Sequence, residues 1–396
     1  MRTTSVEQNI RQKIALKGQI NFADFMEIAL YGNPDGYYKQ KNPIGSSGDY
    51  YTSPIAHPVF GALLCFQLYY MWETLERPDP FHVIELGSAD YCLARDILEF
   101  SKQLPNQFCE KLEYIAMDRA IPYRPGINIQ GILTNEMPLN LETCVIISNE
   151  LLDAFPVNRF KIVNGTVQEL FITLNENSVL CFKPDVPTSP KLIESLGCVV
   201  TDLPEGYESE INLYLEPWLE KLSNSFQRGF ILTIDYGYEG NQLYSLDRNR
   251  GTIQTYYNHS SGDNPLIRIG SQDITSHVNF SLLRTLGCKF GLEPIATLTQ
   301  ADYLTKLGMN QFISNLRTLS LSTRDNQANL MAMKNLIDPF GLGKFKVMIQ
   351  QKNILNIDAR SILPSVGTLI RYATPLLGKS NIRLAEAKYP HTFGPN

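Results

Sequence analysis

The chain has 396 residues, of which 43% are hydrophobic and 19% charged, and its formal net charge is −5 at pH 7. This composition fits a globular protein with a large core, built as one α/β domain with insertions or as two domains. The small acidic excess argues against a nucleic-acid-binding protein, because such proteins neutralise phosphates with Lys and Arg. No segment reaches the ~18–20 apolar residues of a membrane span.

The cysteine and histidine spacings give no sign of a metal site. The seven cysteines include no C-x-x-C pair, so neither zinc ligation nor a disulfide framework is predicted. The five histidines also lack ligand spacing. Free thiols are typical of a reducing compartment. Because residues 1–18 lack a secretory apolar region, we predict a cytoplasmic location, or the mitochondrial matrix if the protein is eukaryotic.

Two helices are predicted near the N-terminus, separated by a loop. Apolar residues at helical spacing predict a helix over 20–31 that Asn21 caps, and a second, largely buried helix follows over about 58–75. The residues between them are rich in Gly, Pro, Asn, Asp and Ser, which predicts a long structured loop. We interpret residues 1–80 as an N-terminal helical lid on the domain that follows.

Strands and helices alternate through the rest of the chain. Apolar runs predict strands over 81–87, 111–118, 142–150, 229–238 and 345–352. Helical patterns are predicted between them, including a long amphipathic helix over 208–226 and a helical LLDAF segment after the third strand. This alternation implies a parallel sheet with helices on both faces, and therefore an α/β fold.

Two insertions interrupt the predicted core, which spans residues 81–353. The first, at about 159–184, has hairpin character around two Asn-containing turns. The second, at about 239–279, is rich in turn residues. The tail over 354–396 includes a segment that could pack as a helix.

A candidate nucleotide site lies where the first two strands end. In open α/β sheets, ligands bind at the carboxyl ends of the strands near the topological switch point. Gly87 permits a sharp turn after the first strand, and Asp118 ends the second strand, where an acidic residue can bind ribose hydroxyls. Only one glycine of a G-x-G-x-G pattern is present, so a plain strand-to-helix turn is an equal alternative.

Polar residues also follow the next two strands. Asn149 and Glu150 come directly after the apolar run VIIS, and we expect them at the mouth of a cleft because they are costly to bury unpaired. The alternative is that Asn149 caps a helix whose first turn contains Glu150. Asp235 ends the following strand, where a turn role and a functional role are equally expected.

Several long segments of the chain are similar to one known family. They include GDYYTSP, NELLDAFPV, DYGY, GTIQTYYNH and IGSQDITSHVNFSLL, and the similarity covers about residues 15–352. The chain resembles the MidA-type proteins, which are related to the mitochondrial complex I arginine methyltransferase. The resemblance implies a seven-stranded, Rossmann-like class I methyltransferase fold with an enlarged substrate cap, and S-adenosyl-L-methionine as the cofactor.

The resemblance also implies roles for individual residues. The matched positions near the cofactor are Gly48, Asp49, Thr52, Glu85, Gly87, Ala89 and Asp118. The matched catalytic positions are Asn149, Glu150 and Asp153. The family usually reads ELGPGRGTL where this chain reads ELGSADYCL, so Ala89 and Tyr91 replace two glycines, and Tyr91 would crowd the cofactor or stack near it. The family's TSPEIS reads TSPIAH here, so an acidic residue is also lost at Ile55.

We therefore expect a methyltransferase that acts on an accessible arginine of a protein substrate. Glu150 would pair with the guanidinium, and Asp153, about one helical turn later, would assist. No nucleic-acid partner is expected, and a homodimer is possible. The replaced glycines favour an alternative, an assembly factor that kept the fold and lost turnover. A dinucleotide-dependent oxidoreductase is disfavoured because G-x-G-x-x-G is absent.

Overall fold

The structure is a computed structural model that describes residues 4–39, 52–119, 130–133, 140–197, 203–257, 260–355, 362–363 and 372–378. The helices are α1 (Ser5–Lys17), α2 (Phe22–Tyr31), α3 (Ser53–Ala56), α4 (Val59–Thr74), α5 (Cys92–Ser101), α6 (Asn106–Lys111), α7 (Pro190–Leu196), α8 (Leu215–Asn224), α9 (Gly240–Leu243), α10 (Phe280–Lys289), α11 (Gln300–Leu307), α12 (Met309–Leu316) and α13 (Thr323–Leu336). The strands are β1 (Ile20–Asn21), β2 (Phe81–Leu86), β3 (Leu112–Asp118), β4 (Gln130–Leu133), β5 (Leu141–Asn149), β6 (Asn158–Val163), β7 (Thr166–Leu174), β8 (Leu180–Asp185), β9 (Glu208–Ile211), β10 (Phe226–Asp235), β11 (Gly237–Tyr238), β12 (Gln254–Tyr257), β13 (Ser260–Gly262), β14 (Asp273–Thr275), β15 (Val278–Asn279), β16 (Glu293–Thr299) and β17 (Lys346–Lys352).

A seven-stranded sheet forms the centre of the fold, with the order β16-β17-β10-β5-β2-β3-β4. Neighbouring strands from β4 to β10 are parallel, whereas β17 runs antiparallel to both β10 and β16. The chain starts in the middle at β2, moves outward through β3 and β4, and then returns to β5 on the other side. The carboxyl ends of β2 and β5 therefore lie side by side at the switch point, where such sheets bind ligands.

Helices cover both faces of this sheet, which confirms the predicted α/β fold. On one face, α4, α5, α11, α12 and α13 pack on apolar residues such as Val83 and Leu232. On the other face, α8 and α10 pack on residues such as Ile84 and Ile231. Because the inner strands are buried on both faces, their sequences are continuous apolar runs instead of alternating patterns.

The insertions form smaller sheets beside the carboxyl ends of the central strands. Strands β6, β7, β8 and β9 form one antiparallel sheet together with the N-terminal β1. Strands β12, β13 and β14 form another, and β11 pairs with β15. The Asn21 side chain accepts from the Asp24 N–H at the start of α2, as predicted. The N-terminal segment is thus built into the first insertion sheet.

Two of the helix predictions after the third strand are wrong. The long helix predicted over 208–226 is a strand followed by a shorter helix, because residues 208–211 pair with β6 and α8 begins only at Leu215. Pro217 in the first turn of α8 is a start signal that this prediction overlooked. The predicted helical LLDAF segment is a single 3-10 turn over Leu152–Ala154. Pro156 follows closely, and a residue before proline is disfavoured in helical geometry.

The central fold also holds a buried, neutral histidine. His57 is fully buried; its Nδ1 accepts from the Val59 N–H (3.0 Å) and its Nε2 donates to Asn329 Oδ1 (2.9 Å). Burial lowers the pKa of His57 from 6.5 to about 4. The unfolded chain therefore binds more protons between these two pH values, so this contribution to stability is lost as the pH falls through that range.

The difference in unfolding free energy between the wild type and His57→Gln is expected to shrink by up to about 3 kcal/mol between pH 7 and pH 4. The comparison with glutamine isolates His57 from the buried carboxyl groups, whose raised pKa values act in the opposite direction. Urea unfolding at several pH values measures the difference. A difference that does not change with pH would contradict the buried neutral state.

Among the described residues, no helix has both the length and the apolar character needed to cross a bilayer. Nor does any group of three or more His, Cys, Asp or Glu side chains in this part of the chain have an arrangement that could hold a metal ion.

Candidate functional site

The loop after β2 turns sharply at Gly87. This residue has a φ of +74°, and a Cβ atom there would lie 2.9 Å from Leu151 Cδ1. Its N–H donates to the Met117 carbonyl (2.8 Å), which joins the loop to β3. Glycine adopts this φ without strain, whereas a side chain here would be strained and would displace the Leu151 side chain after β5.

Asp118 at the end of β3 holds this loop. Its Oδ2 accepts a hydrogen bond from the Ala89 N–H (3.1 Å). Ala89 and Tyr91 have φ values of 47° and 62°, the left-handed region that favours glycine. At each position a side chain therefore costs roughly 1–2 kcal/mol of backbone strain. The two glycines of the family pattern are thus replaced at positions whose backbone still has the glycine conformation.

The Tyr91 ring is part of the core beside α4 and α5, where only 4% of the residue is exposed. Replacing it with glycine should lower the free energy of unfolding by about 2–4 kcal/mol, because losing a buried aromatic ring costs more than relief of the backbone strain returns. Tyr91→Phe, which keeps the ring, is the control. Thermal unfolding measures the effect, and tighter cofactor binding by Tyr91→Gly would instead support crowding.

Glu85 lies one residue before the end of β2 and is 4% exposed. Its Oε2 accepts from the Tyr114 hydroxyl of the neighbouring strand (2.9 Å). Burial raises the pKa of Glu85 to about 8, and the nearby Asp90 and Asp118 carboxylates add to the rise. Burial therefore favours the uncharged form of this carboxyl group, which lies two residues before Gly87.

Asn149 and Glu150 lie together at the end of β5. The Asn149 Nδ2 donates to Glu150 Oε1 (3.0 Å), and the Glu150 N–H donates to the Ile234 carbonyl of β10 (2.9 Å). Glu150 has a φ of 51°. Asn149 therefore caps no helix, because its side chain binds that of Glu150 and the next 3-10 turn begins only at Leu152. The alternative cap role is wrong.

Asp153 and Asp235 form the deepest part of the site. Asp235 Oδ2 accepts from the N–H groups of Leu152 (2.9 Å) and Asp153 (3.3 Å), so it fixes the turn after β5. The Tyr236 hydroxyl donates to Asp153 Oδ2 (2.5 Å). Burial raises the pKa of Asp153 to about 6. Burial, followed by the nearby Asp153 and Glu150 carboxylates, raises the pKa of Asp235 well above its ordinary range.

Residues that sequence reasoning missed come from the N-terminal segment and the second insertion. The Tyr31 hydroxyl donates to the Ala154 carbonyl (3.2 Å), and the Tyr31 ring stacks on Tyr38 with centroids 5.2 Å apart. Tyr38 donates to Asp273 Oδ2 (2.9 Å), and the Arg119 guanidinium lies 3.8 Å above the Tyr31 ring. These contacts join segments far apart in sequence. The sequence could therefore indicate these residues only through the family motifs that the N-terminal segment and the second insertion contain.

The loop before α4 is described only from Thr52 onward, and the predicted residues Gly48 and Asp49 lie outside the described residues. Thr52 precedes α3, and its carbonyl accepts from the Ala56 N–H (3.0 Å). The Pro54 carbonyl of α3 accepts from Cys92 Sγ (3.5 Å) at the start of α5. The structure thus places Thr52 on the same side of the sheet as the Gly87 loop.

Several buried oxygen atoms around the ends of β2 and β5 have no hydrogen-bond partner among the described residues. They are Ser88 Oγ, Ser148 Oγ, Asn149 Oδ1 and Asp153 Oδ1. Ser148 pairs in register with Leu86, next to the Gly87 loop. Buried polar atoms are rarely left unpaired, so this group of acceptors fits a ligand that carries N–H and O–H donors.

Residues 63–297 match the family of S-adenosyl-L-methionine-dependent methyltransferases. This chain belongs to that family. Its relatives include the mitochondrial protein arginine methyltransferase NDUFAF7 homologue of Drosophila melanogaster, which is 27% identical over 71% of this chain and 69% of that protein. The human NDUFAF7 is 22% identical over 86% of this chain and 82% of its own length.

Two solved structures have the same fold as this chain. A protein from Burkholderia thailandensis bound to S-adenosyl-homocysteine has a TM-score of 0.78 and 22% identity, and the match covers 91% of this chain and 95% of that one. A native structure from the same organism has a TM-score of 0.77 and 24% identity, with 90% and 94% covered.

The residues of this chain fit S-adenosyl-L-methionine, the cofactor of the family. Gly87 turns the chain sharply at the end of β2, the edge of the sheet where such folds bind ligands, and the Asp118 carboxylate stands at the neighbouring strand end, where ribose hydroxyls are bound in such folds. The unpaired oxygens of Ser148 and Asn149 suit an ammonium group. Of the predicted cofactor residues, the structure therefore brings Glu85, Gly87, Ala89 and Asp118 together at one loop.

Proposed function

We propose that this methyltransferase transfers its methyl group to an arginine side chain of a protein substrate. The observation that carries the proposal is the presence of two carboxyl groups after β5, Glu150 directly after the strand and Asp153 in the next turn, where β5 lies beside β2 and the Gly87 loop. The relatives named as protein arginine methyltransferases support the same substrate class. Asn149, Glu150 and Asp153 are the proposed substrate-side residues.

The charges in this site suit a guanidinium. Carboxylates bind arginine through charge-assisted, often bidentate hydrogen bonds. Asn149 holds the Glu150 carboxylate through Oε1, so one carboxylate edge is already fixed in position. A preorganised partner of this kind stabilises charge without reorganising during the reaction.

When bound, the cofactor would supply a methyl group on a positively charged sulfur; the acceptor nitrogen would form its bond to this methyl group as the carbon–sulfur bond breaks, and it would lose one proton to water while S-adenosylhomocysteine leaves. The residues of the chain position this nitrogen, and a misplacement of about 1 Å can slow such a reaction by about 100-fold. The turn between β5 and β6 is fixed by Asp235 and covered by Tyr31, so the proposed contacts stand on a rigid support. The buried carboxyl group of Asp153 lies within the same turn.

A second candidate is an assembly factor that kept the fold and lost turnover. The positive φ values of Ala89 and Tyr91 favour it, because both residues add strain to the loop that would contact the cofactor. This candidate predicts that the cofactor binds weakly or not at all. Calorimetric titration with S-adenosyl-L-methionine and, for comparison, with NAD distinguishes the two candidates and also tests the oxidoreductase alternative.

The remaining proposals concern the domain organisation, the cellular location and the partners of the protein. We propose that residues 1–80 form an N-terminal segment whose part before α4 acts as a lid on a core spanning 81–353, while α4 packs on the central sheet, with residues 354–396 as a tail. A matrix location is proposed if the protein is eukaryotic, in line with the mitochondrial relatives. The proposed partner is a protein with an accessible arginine, and a homodimer remains part of the proposal.

The decisive experiment is methyl transfer from labelled S-adenosyl-L-methionine to proteins of the host cell. Mass spectrometry should then find the added methyl group on arginine. Methylation confined to lysine, carboxylate or a small molecule would overturn the arginine assignment. Weak or absent cofactor binding, together with no transfer to any protein, would favour the assembly factor.

A further inference from the structure

The Asp153 carboxyl group has one oxygen without a partner. The residue is 5% exposed, and its Oδ2 accepts from the Tyr236 hydroxyl (2.5 Å). Oδ1 is buried and has no hydrogen-bond partner in the part of the chain that the structure describes. Leaving such an acceptor unpaired costs about 1–3 kcal/mol, and a donor from a ligand would remove this cost.

The second insertion contributes an aromatic residue, Tyr256, near the turn that contains Asp153. Tyr256 of β12 and Asp273 of β14 are direct partners in the antiparallel pairing, so both side chains lie on one face of this small sheet. The Ser276 N–H donates to the Asp153 carbonyl (2.9 Å), which ties the insertion to the turn. Burial raises the pKa of Tyr256, and the carboxylates of Asp153, Asp273 and Glu150 raise it further. Tyr256 therefore lies on the same face of this small sheet as Asp273, whose carboxylate accepts from Tyr38.

The stacked rings of Tyr31 and Tyr38, next to the same turn, already bind a planar cation of the protein itself. The Arg119 guanidinium lies 3.8 Å above the Tyr31 ring and is paired with Glu27. Tyr31 stacks on Tyr38, which in turn donates to Asp273. A guanidinium between a carboxylate and an aromatic ring is thus an arrangement that this part of the protein uses for its own arginine.

We propose that Asp153 and Tyr256 form the cation subsite that receives the guanidinium of the substrate arginine. The Asp153 carboxylate provides the counter-charge through Oδ1, and the Tyr256 ring provides the wall on which the planar cation rests. The inference rests on the proposed function and refines it. It makes the second insertion, through Tyr256, a determinant of specificity for arginine.

Binding of a minimal probe tests the subsite without requiring turnover. The probe is N-acetyl-L-arginine methylamide, added at pH 8 to the protein saturated with S-adenosylhomocysteine, and N-acetyl-L-citrulline methylamide is its uncharged isostere. Calorimetry or ligand-detected NMR should show the arginine probe binding at least about tenfold more tightly than the citrulline probe, as expected for a charge-assisted contact. Equal affinity for the two probes, or no binding of either, would overturn the subsite.

Variants identify the two residues. Asp153→Asn should weaken binding of the arginine probe at least about tenfold, and Tyr256→Leu should weaken it about fivefold. Tyr256→Phe should keep the affinity within about twofold of the wild type, because it keeps the ring. Glu99→Gln, an exposed carboxylate on α5, is the matched control for charge. Affinity for S-adenosylhomocysteine reports correct folding of each variant. Should Asp153→Asn fail to fold, the two Tyr256 variants decide the outcome.

The subsite and the proposed function fail in different ways. If the probe binds as expected but no protein arginine is methylated, the proposed function is wrong and the subsite stands. If arginine is methylated while Tyr256→Leu keeps the wild-type affinity and KM, the subsite is wrong and the function stands.

Discussion

Replacing Glu150 with glutamine is expected to reduce arginine methylation at least ~100-fold, a typical size for losing one preorganised electrostatic contact. The change keeps the shape of the side chain and its contact with Asn149, but it removes the charge that would face the guanidinium. Cofactor affinity should change little, because glutamine can still accept the hydrogen bond that holds Asn149. Methyl transfer and calorimetric titration with S-adenosylhomocysteine measure the two quantities on the same preparation.

Glu142→Gln is the matched control for this variant, because Glu142 is an exposed carboxylate near the other end of the same strand. A purely structural Glu150 would give a different pattern. Activity would be retained, and the free energy of unfolding would fall by at most about 1.5 kcal/mol, the size of one weakened hydrogen bond to Asn149. That pattern would remove Glu150 from the proposed substrate-side residues.

Asp118→Ala should weaken the binding of S-adenosylhomocysteine by about 1–3 kcal/mol, or roughly 5- to 150-fold. The carboxylate stands at the end of β3, where it can accept from ribose hydroxyls, and it also holds the loop through the Ala89 N–H. Loss of the ribose contact and loss of the contact with the loop both weaken binding. Calorimetric titration of the wild type and the variant measures the change, and equal affinities would reject the site.

Asp118→Asn separates the two contributions. An asparagine side chain can still accept from the Ala89 N–H, but it lacks the charge that strengthens a bond to ribose. Full recovery of affinity in Asp118→Asn would mean that Asp118 acts by holding the loop. Glu113→Gln, an exposed side chain on the same strand, controls for general effects of removing a carboxylate from β3.

The central strands could be predicted because burial on both faces produces a simple sequence pattern, a continuous apolar run. A parallel strand such as β2 or β5 is covered on both sides by helices, so nearly every position is apolar and the run ends where polar residues begin. The same pattern located Asp118, Asn149 and Glu150, because a polar residue at the end of a buried run must face the cleft. The predicted strands therefore agree with β2, β3, β5, β10 and β17 to within a few residues.

The rest of the site depends on contacts between distant segments. Tyr38 reaches Asp273 across 235 positions of sequence, and Tyr31 reaches Ala154 across 123. Neither pair has a local signature, because each tyrosine alone is equally compatible with an ordinary core position. The helix predicted over 208–226 failed for a related reason: pairing with β6 overrides the local helical pattern at residues 208–211.

The sequence by itself determined the fold class, the positions of the central strands and the polar residues at their ends, because burial and turn geometry are encoded within short segments. It also indicated the family through several long motifs. Only the tertiary structure decided what those polar residues do. Asp235 fixes a turn through backbone N–H groups, whereas one oxygen of Asp153 has no hydrogen-bond partner among the described residues, although both are carboxylates at or just after the end of a central strand. The reason is physical: a carboxylate's role depends on which donors surround it, and these donors come from segments that folding alone brings together.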